Sequence, residues 1–268
     1  MNELRISLIQ SDIFWEDKER NIEKCGKLLE KLSGKSDLAV LPEMFSTGFS
    51  MQASHLAETN EGATVQAIRS LAKEYNIAVC GSFLAKDDSD RIFNRGFFIA
   101  PDGNRWFYDK RHLFRMGLEQ QHFIAGDKKV IVPYKGWNIR LIVCYDLRFP
   151  VWVRNRKNEY DVLICPANWP VARSNTWQTL LTARAMENQC YVCGVNRIGK
   201  DGHLIEHHGD SALIDFKGNR IAEAGLNKES VVTDVLRKDQ LDNFRDRFPV
   251  WKDADYFEVY NLGNLHND

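Results

Sequence analysis

Three side chains set the chemistry open to this chain: the thiol of Cys144, the carboxylate of Glu43 and the ammonium of Lys110. Each follows closely on an apolar, β-forming run, residues 140–143 before Cys144, 37–41 before Pro42 and Glu43, and 105–108 before Asp109 and Lys110. A nucleophile, a base and an electrophilic cation are what acyl transfer requires. A free thiol is only a few per cent ionised at pH 7, so both the lysine charge and the carboxylate are needed to activate it. The same ammonium would stabilise the oxyanion of a tetrahedral intermediate. Glu43, held between a buried strand and the aromatic loop 44–49, is partly desolvated and so suited to general-base work. Glu119, in the loop 116–121, is placed to orient the lysine. Taken singly, each residue has a plainer reading, because strand-end charges usually reach solvent and buried cysteines usually pack. Their arrival at three separate strand ends is what favours a site. A cysteine–histidine pair with His112 or His122 as base stays open on spacing alone.

The other cysteines are read as packing thiols. Cys25 lies in the apolar stripe of a helix, and Cys80 and Cys165 lie within buried strands. Cys190 and Cys193 have C-x-x-C spacing, but Tyr191-Val192 continues a strand, on which residues three apart point to opposite faces. His207-His208 alone does not complete a zinc site, so no metal site is expected.

The elements that must carry these residues follow from periodicity. Residues 4–10 alternate as a strand, and Ile22, Cys25, Leu28, Leu29 and Leu32 recur on one helical face that Gly34 closes. Residues 37–43 read as a central parallel strand, 65–75 as a second helix and 77–83 as a further buried strand. Residues 93–100 and 105–108 form a hairpin around Pro101-Asp102-Gly103-Asn104, which makes the sheet mixed. A second programme then begins: a hairpin through Lys135-Gly136, the strand that ends at Cys144, a short helix over 151–156 and a strand over 161–167. A helix over 174–188, capped by Ser174 or Asn175, leads to a strand at 191–195. Strands at 211–215, 220–222 and 230–235 complete the second set. The expectation is an α/β fold with two packed sheets in a single domain spanning 1–268. From about residue 247 an aromatic tail without helical period must pack on its own body or on a partner subunit.

Composition narrows the function classes. The chain has 268 residues, 44% hydrophobic and 27% charged, with a formal net charge of −1. That balance argues against nucleic acid or an anionic membrane as partner, since both call for a basic surface. No apolar stretch approaches the roughly 20 residues of a membrane helix, and the N-terminus lacks a signal-peptide pattern. Scattered cysteines fit reduced thiols, so a cytoplasmic location is expected.

Residues 41–45 (Leu-Pro-Glu-Met-Phe), 109–114 (Asp-Lys-Arg-His-Leu-Phe) and 143–150 (Val-Cys-Tyr-Asp-Leu-Arg-Phe-Pro) resemble the three motif regions of the nitrilase superfamily, the carbon-nitrogen hydrolases. The resemblance runs in the family's order and covers the chain to about Val235. It implies a four-layer α-β-β-α sandwich of two mixed sheets. It also implies homodimers formed through the face bearing the cysteine helix, with the C-terminal tail reaching across. By the same resemblance Glu43 is the general base, Lys110 the oxyanion cation, Cys144 the nucleophile and Glu119 the second glutamate, with the backbone N–H of Tyr145 as a further oxyanion donor. No metal or organic cofactor is implied. Residues 168–170 (Asn-Trp-Pro), 183–189 and 209–211 are most similar to the bacterial omega-amidase branch, whose members hydrolyse the terminal amide of 2-oxo dicarboxylic acid monoamides. Amidases acting on N-carbamoyl amines or simple aliphatic amides use the same three residues, and nitrilases or a non-catalytic interaction protein stand further off. Phe114, Asn168, Trp169 and Arg173 are expected to contact the small-molecule amide. Arg173 would hold its carboxylate, and Arg148 would be structural.

Overall fold

Alternation along the strands decides how the layers stack. In the computed structural model, which describes residues 2–259, the first half of the chain forms β1 (Glu3–Gln10), α1 (Lys18–Leu32), β2 (Leu38–Val40), α2 (Ala53–Leu56), α3 (Ala63–Tyr75), β3 (Ala78–Lys86), β4 (Ile92–Ile99), β5 (Arg105–Asp109) and α4 (Glu119–His122). The second half forms β6 (Ile131–Tyr134), β7 (Trp137–Leu141), α5 (Pro150–Val153), β8 (Val162–Ala167), α6 (Ser174–Asn188), β9 (Tyr191–Asn196), β10 (Ile198–Lys200), β11 (Glu206–His208), β12 (Ala212–Ile214), β13 (Arg220–Glu223), β14 (Ser230–Arg237) and α7 (Lys238–Arg247).

Leu4, Ile6 and Leu8 of β1 and Ala78 and Cys80 of β3 face the second sheet, where they pack with Trp137, Ile139 and Ile164. Their neighbours Ile9, Val79 and Phe83 face the other way, onto Cys25, Leu29, Val65 and Ile68 of α1 and α3. On the far side α6 lies against β9. A Cβ on Gly194 would sit 2.6 Å from Leu181 and 2.9 Å from Trp177, so only glycine lets this helix approach its strand. The result is the expected α-β-β-α sandwich of two mixed sheets.

The sheet orders are β14-β1-β2-β3-β4-β5 and β13-β12-β9-β8-β7-β6, with β10 and β11 as a separate hairpin. This corrects one expectation, because β14 does not complete the second sheet. It pairs antiparallel with β1 along its whole length, from Glu3 opposite Arg237 to Gln10 opposite Ser230. Residues 174 and 175 do not cap α6 either. A 3-10 turn over Val171–Arg173 feeds directly into the helix, with Arg173 at the cap position and no side-chain cap bond.

The topology explains where the candidate residues meet. β2 runs parallel to β3, and β5 runs antiparallel to β4, itself antiparallel to β3, so β2 and β5 end at the same edge. In the second sheet β7 and β8 are parallel neighbours, so the chain leaves both on one side. Glu43, Lys110, Cys144 and Asn168 each follow one of these four ends.

At the start of β2 the two sheets are tied by Asp37, which accepts from Arg5 (Nε 3.1 Å, Nη2 3.1 Å) and pairs with Lys135 Nζ at 2.5 Å across the sandwich. Burial opposes its charge, but the Arg5 and Lys135 bonds win and hold the carboxyl down at about 2, from an ordinary 3.8. A lowered folded value stabilises the fold above the ordinary carboxylate range, and the contribution is lost as pH falls through about 2. Asp37→Asn should therefore reduce stability at pH 6 and leave it nearly unchanged at pH 2. Chemical denaturation at the two pH values checks this, and an equal loss at both would refute it.

Part of the tail docks on the body of its own chain. Gln189 Nε2 donates to Phe248 O at 2.8 Å, and Arg156 Nη1 to Phe257 O at 3.0 Å. Tyr260, the last of the aromatic residues in the tail, lies outside the described residues.

Candidate active site

β2 ends after three residues, and the turn behind it is pinned to β3: Leu41 N donates to Cys80 O, Met44 N to Ser82 Oγ and Phe45 N to Ser82 O. Met44 pays for the turn with a φ of +46°. The turn leaves Glu43 fully buried, facing Lys110, which is also fully buried. Lys110 Nζ lies 2.9 Å from Glu43 Oε1 and 2.8 Å from Glu119 Oε2. Burial pulls the ammonium down, but Glu119 and Glu43 together lift it well above the ordinary lysine range, so it stays charged. Burial also raises Glu119. Lys110 opposes that shift, and the nearby Glu43 charge adds to it. Glu119 does not lie in an irregular loop. It opens α4 directly after a 3-10 turn at Arg115–Gly117 and Leu118 at φ +61°, and its Oε2 also accepts from Phe114 N at 2.6 Å.

The strand leading to the thiol is shorter than its apolar run. β7 stops at Leu141, and Cys144 opens a 3-10 turn, Cys144–Arg148, with a φ of +45°. A β-substituted residue in this left-handed region is strained, and the surroundings over-determine it. Asp146, fully buried, accepts from Val143 N at 3.1 Å, Tyr108 OH at 2.7 Å and His112 N at 2.8 Å, and meets His112 Nδ1 at 2.8 Å. One carboxylate thus binds the cysteine elbow to the segment that carries Lys110.

The same contacts dispose of His112 as partner to the thiol. Its Nδ1 is committed to Asp146, its ring stacks on Phe149 at 3.7 Å, and it does not line the cavity. His122 does line it. Burial first, then the Glu43 charge, push the Cys144 thiol well above its ordinary value, and Lys110 and the Asn168 N–H offset only part of this. Burial and the Glu43 charge thus favour the neutral thiol.

Cys144 and Lys110 open onto a cavity of about 460 Å³. Tyr145, Phe114, Asn168, Trp169 and Arg173, all singled out from the sequence, line it. Asn168 is held by its side chain on Glu43 O at 2.6 Å and by its N–H on Glu43 Oε2 at 2.8 Å. Arg148 lines the cavity too, so it is not merely structural. Its guanidinium lies over Trp169 at 5.2 Å, while that of Arg173 lies over Phe114 at 5.0 Å. The sequence reading missed the opposite wall, the tip of the β10–β11 hairpin with Asp201, His203, Ile205 and His207. It also missed Asn94, whose Nδ2 donates to both Glu43 Oε1 at 2.8 Å and Glu119 Oε1 at 3.1 Å. A polar residue amid the apolar run of β4 was the available signal. Cys190 and Cys193 are buried free thiols, and among the described residues no three His, Cys, Asp or Glu side chains cluster as metal ligands.

A carboxylate–lysine–carboxylate row beside a cysteine at a strained turn is a unit for acyl transfer. The family model for carbon-nitrogen hydrolases matches residues 5–246. The chain is a carbon-nitrogen hydrolase. This hydrolase is 43% identical to omega-amidase YafV of Escherichia coli (strain K12), over 96% of its own length and 99% of that protein. It is 32% identical to the 2-oxoglutaramate amidase of Bacillus subtilis (strain 168), over 92% and 96% of the two chains. Among solved structures it matches XC1258 of Xanthomonas campestris, a CN-hydrolase superfamily protein with an arsenic adduct in its active site. That match has a TM-score of 0.94 and 44% identity, covering 97% of this chain and 100% of the other. Nit3 of Saccharomyces cerevisiae, in branch 10 of the nitrilase superfamily, superposes with a TM-score of 0.84 at 25% identity over 93% and 95% of the chains. The hydrolase is thus an enzyme of the amidohydrolase kind. Among its described residues, no helix is long and apolar enough to cross a membrane.

Proposed function

We propose that this hydrolase releases ammonia from the terminal amide of small 2-oxo dicarboxylic acid monoamides, such as 2-oxoglutaramate and 2-oxosuccinamate, through a thioester on Cys144. One observation carries the substrate class. Among the described residues neither Arg148 nor Arg173 pairs with a carboxylate, yet both line the cavity that holds the thiol. Guanidinium groups left free beside a reactive thiol suit a substrate with a carboxylate at the end remote from its amide. The likeness to an omega-amidase and a 2-oxoglutaramate amidase supports the same reading.

The proposed steps use the residues gathered at the site. Glu43 takes the thiol proton as the Cys144 sulfur attacks the amide carbon, and the carbonyl electrons move onto oxygen. Lys110 uses two of its three N–H bonds on Glu43 and Glu119. The third, together with the backbone N–H of Tyr145, receives the oxyanion. Glu43 then returns the proton to nitrogen, ammonia leaves, and a thioester remains. Water activated by the same carboxylate frees the acid, and no step calls on a metal or organic cofactor.

A panel of 2-oxoglutaramate, glutamine, an N-carbamoyl amine, a simple aliphatic amide and a nitrile, assayed for ammonia, tests the reading. The 2-oxo monoamide should be turned over fastest, with an acyl adduct on Cys144 seen by intact mass after acid quench. No ammonia from any amide would overturn the proposal, and a preference for the N-carbamoyl amine would reassign the substrate. Arg173→Ala and Arg148→Ala should each raise KM for 2-oxoglutaramate by roughly 10- to 100-fold, the scale of a lost charge-assisted hydrogen bond. KM for an uncharged aliphatic amide should barely move. Equal changes for both substrates would remove the carboxylate-binding role.

A further inference from the structure

The buried carboxylates and their donors can be counted atom by atom, because each carboxylate oxygen offers two acceptor sites. Glu43 Oε1 accepts from Lys110 Nζ at 2.9 Å and from Asn94 Nδ2 at 2.8 Å, so it is full. Glu43 Oε2 accepts only from Asn168 N at 2.8 Å, and Asn168 lines the same cavity as Cys144. Glu119 Oε2 is filled by Lys110 Nζ at 2.8 Å and Phe114 N at 2.6 Å, while Glu119 Oε1 takes the second hydrogen of the Asn94 amide at 3.1 Å. The amide itself is fixed in direction. Its Oδ1 accepts from Ser82 Oγ at 3.0 Å, and Ser82 Oγ in turn accepts from Met44 N at 2.8 Å, in the turn that carries Glu43.

We propose that Asn94 is a positioning residue that selects the reacting oxygen of Glu43. By filling the last acceptor site of Oε1, it leaves Oε2, on the Asn168 and Cys144 side, as the atom that takes the thiol proton. In the attack the S–H bond breaks, its hydrogen passes to Oε2, and the sulfur pair forms the S–C bond. In the collapse the same hydrogen moves from Oε2 to the amide nitrogen as the C–N bond breaks. Asn94 is fully buried and does not line the cavity, so it acts on Glu43 and not on the substrate. This rests on the proposed role of Glu43 as the base.

The charged and titratable groups around Glu43 are Lys110 at the end of β5, Glu119 on α4, Cys144 at the elbow and Cys165 on β8. Removing the Asn94 amide takes one donor from each carboxylate and none from the lysine. Fewer donors then fix the orientation of the base and the choice between its two oxygens.

Alkylation of Cys144 by iodoacetamide, followed by intact mass across pH, reads this step in the full-length enzyme without any substrate. In Asn94→Ser the rate at neutral pH should fall roughly 10- to 100-fold. In amide turnover kcat should fall with KM held. Ser82→Ala, which frees the amide to rotate and also takes the side-chain acceptor from Met44 N, should change both in the same direction by a smaller factor and covers the case in which Asn94→Ser does not fold. A profile for either folded variant that superimposes on the parent, or a change carried by KM alone, would overturn the proposal. Glu43→Gln serves as the control. If it alkylates like the parent, the assignment of the base has failed, which is a different result from a failure confined to Asn94.

Discussion

Lys110→Met should lower kcat/KM by about 10³-fold or more and also destabilise the fold by about 3–5 kcal/mol. The first loss follows from removing the cation proposed to hold the oxyanion. The second follows from burial: Glu43, Glu119 and Lys110 all have 0% side-chain exposure, and the ammonium is the ion-pair partner of both acids. Without it two carboxylates share a dry site and at least one must take up a proton. Because the variant binds that proton only in the folded state, its stability deficit should shrink as pH falls from 8 to 5. Urea unfolding across this range, paired with ammonia release, checks both parts. A variant as stable as the parent at pH 8 would show that the row of charges carries no structural weight.

The second large effect separates chemistry from folding. Cys144→Ser should reduce turnover by about 10⁴-fold or more while leaving the unfolding midpoint nearly unchanged. The change swaps sulfur for oxygen in a residue 8% exposed, and the Asp146 network that holds the elbow contacts Val143, Tyr108 and His112, not the Cys144 side chain. A serine hydroxyl ionises far less readily than a thiol, and Glu43, the proposed base, is a carboxylate and not an imidazole. The acid-quenched parent should carry an acyl mass on Cys144 that the variant lacks. More than about one per cent residual activity would argue for direct attack of water without a covalent intermediate.

Glu43, Lys110 and Cys144 were legible because each is the first reactive residue after an apolar run, and parallel topology carries such ends to one edge. What stayed hidden is set by contacts between residues distant in sequence. Asn94 reaches Glu43 across 51 positions and looks like an ordinary polar residue until β4 is paired with β3. Arg148 shares the family-like motif with the nucleophile, but only the fold shows its guanidinium over Trp169 at the cavity wall. The pairing of β14 with β1 could not be read locally either, since its alternating pattern suits an edge strand of either sheet. α7 escaped because Leu241 and Phe244 are its sole apolar residues, and its third anchor is a buried arginine, Arg245, bonded to Asp161, Gln189 O and Tyr160 O.

The neutral thiol favoured at Cys144 bears on how long the enzyme survives. Peroxides, disulfides and most electrophiles react with thiolates and scarcely with neutral thiols. A cysteine enzyme that keeps a standing thiolate is exposed to oxidation between turnovers. Here burial and the neighbouring negative charge withhold the thiolate. On the proposed mechanism the thiol gives up its proton only as the sulfur attacks the amide carbon. Idle enzyme should therefore tolerate dilute peroxide for longer than a cysteine hydrolase built on a thiolate–imidazolium pair.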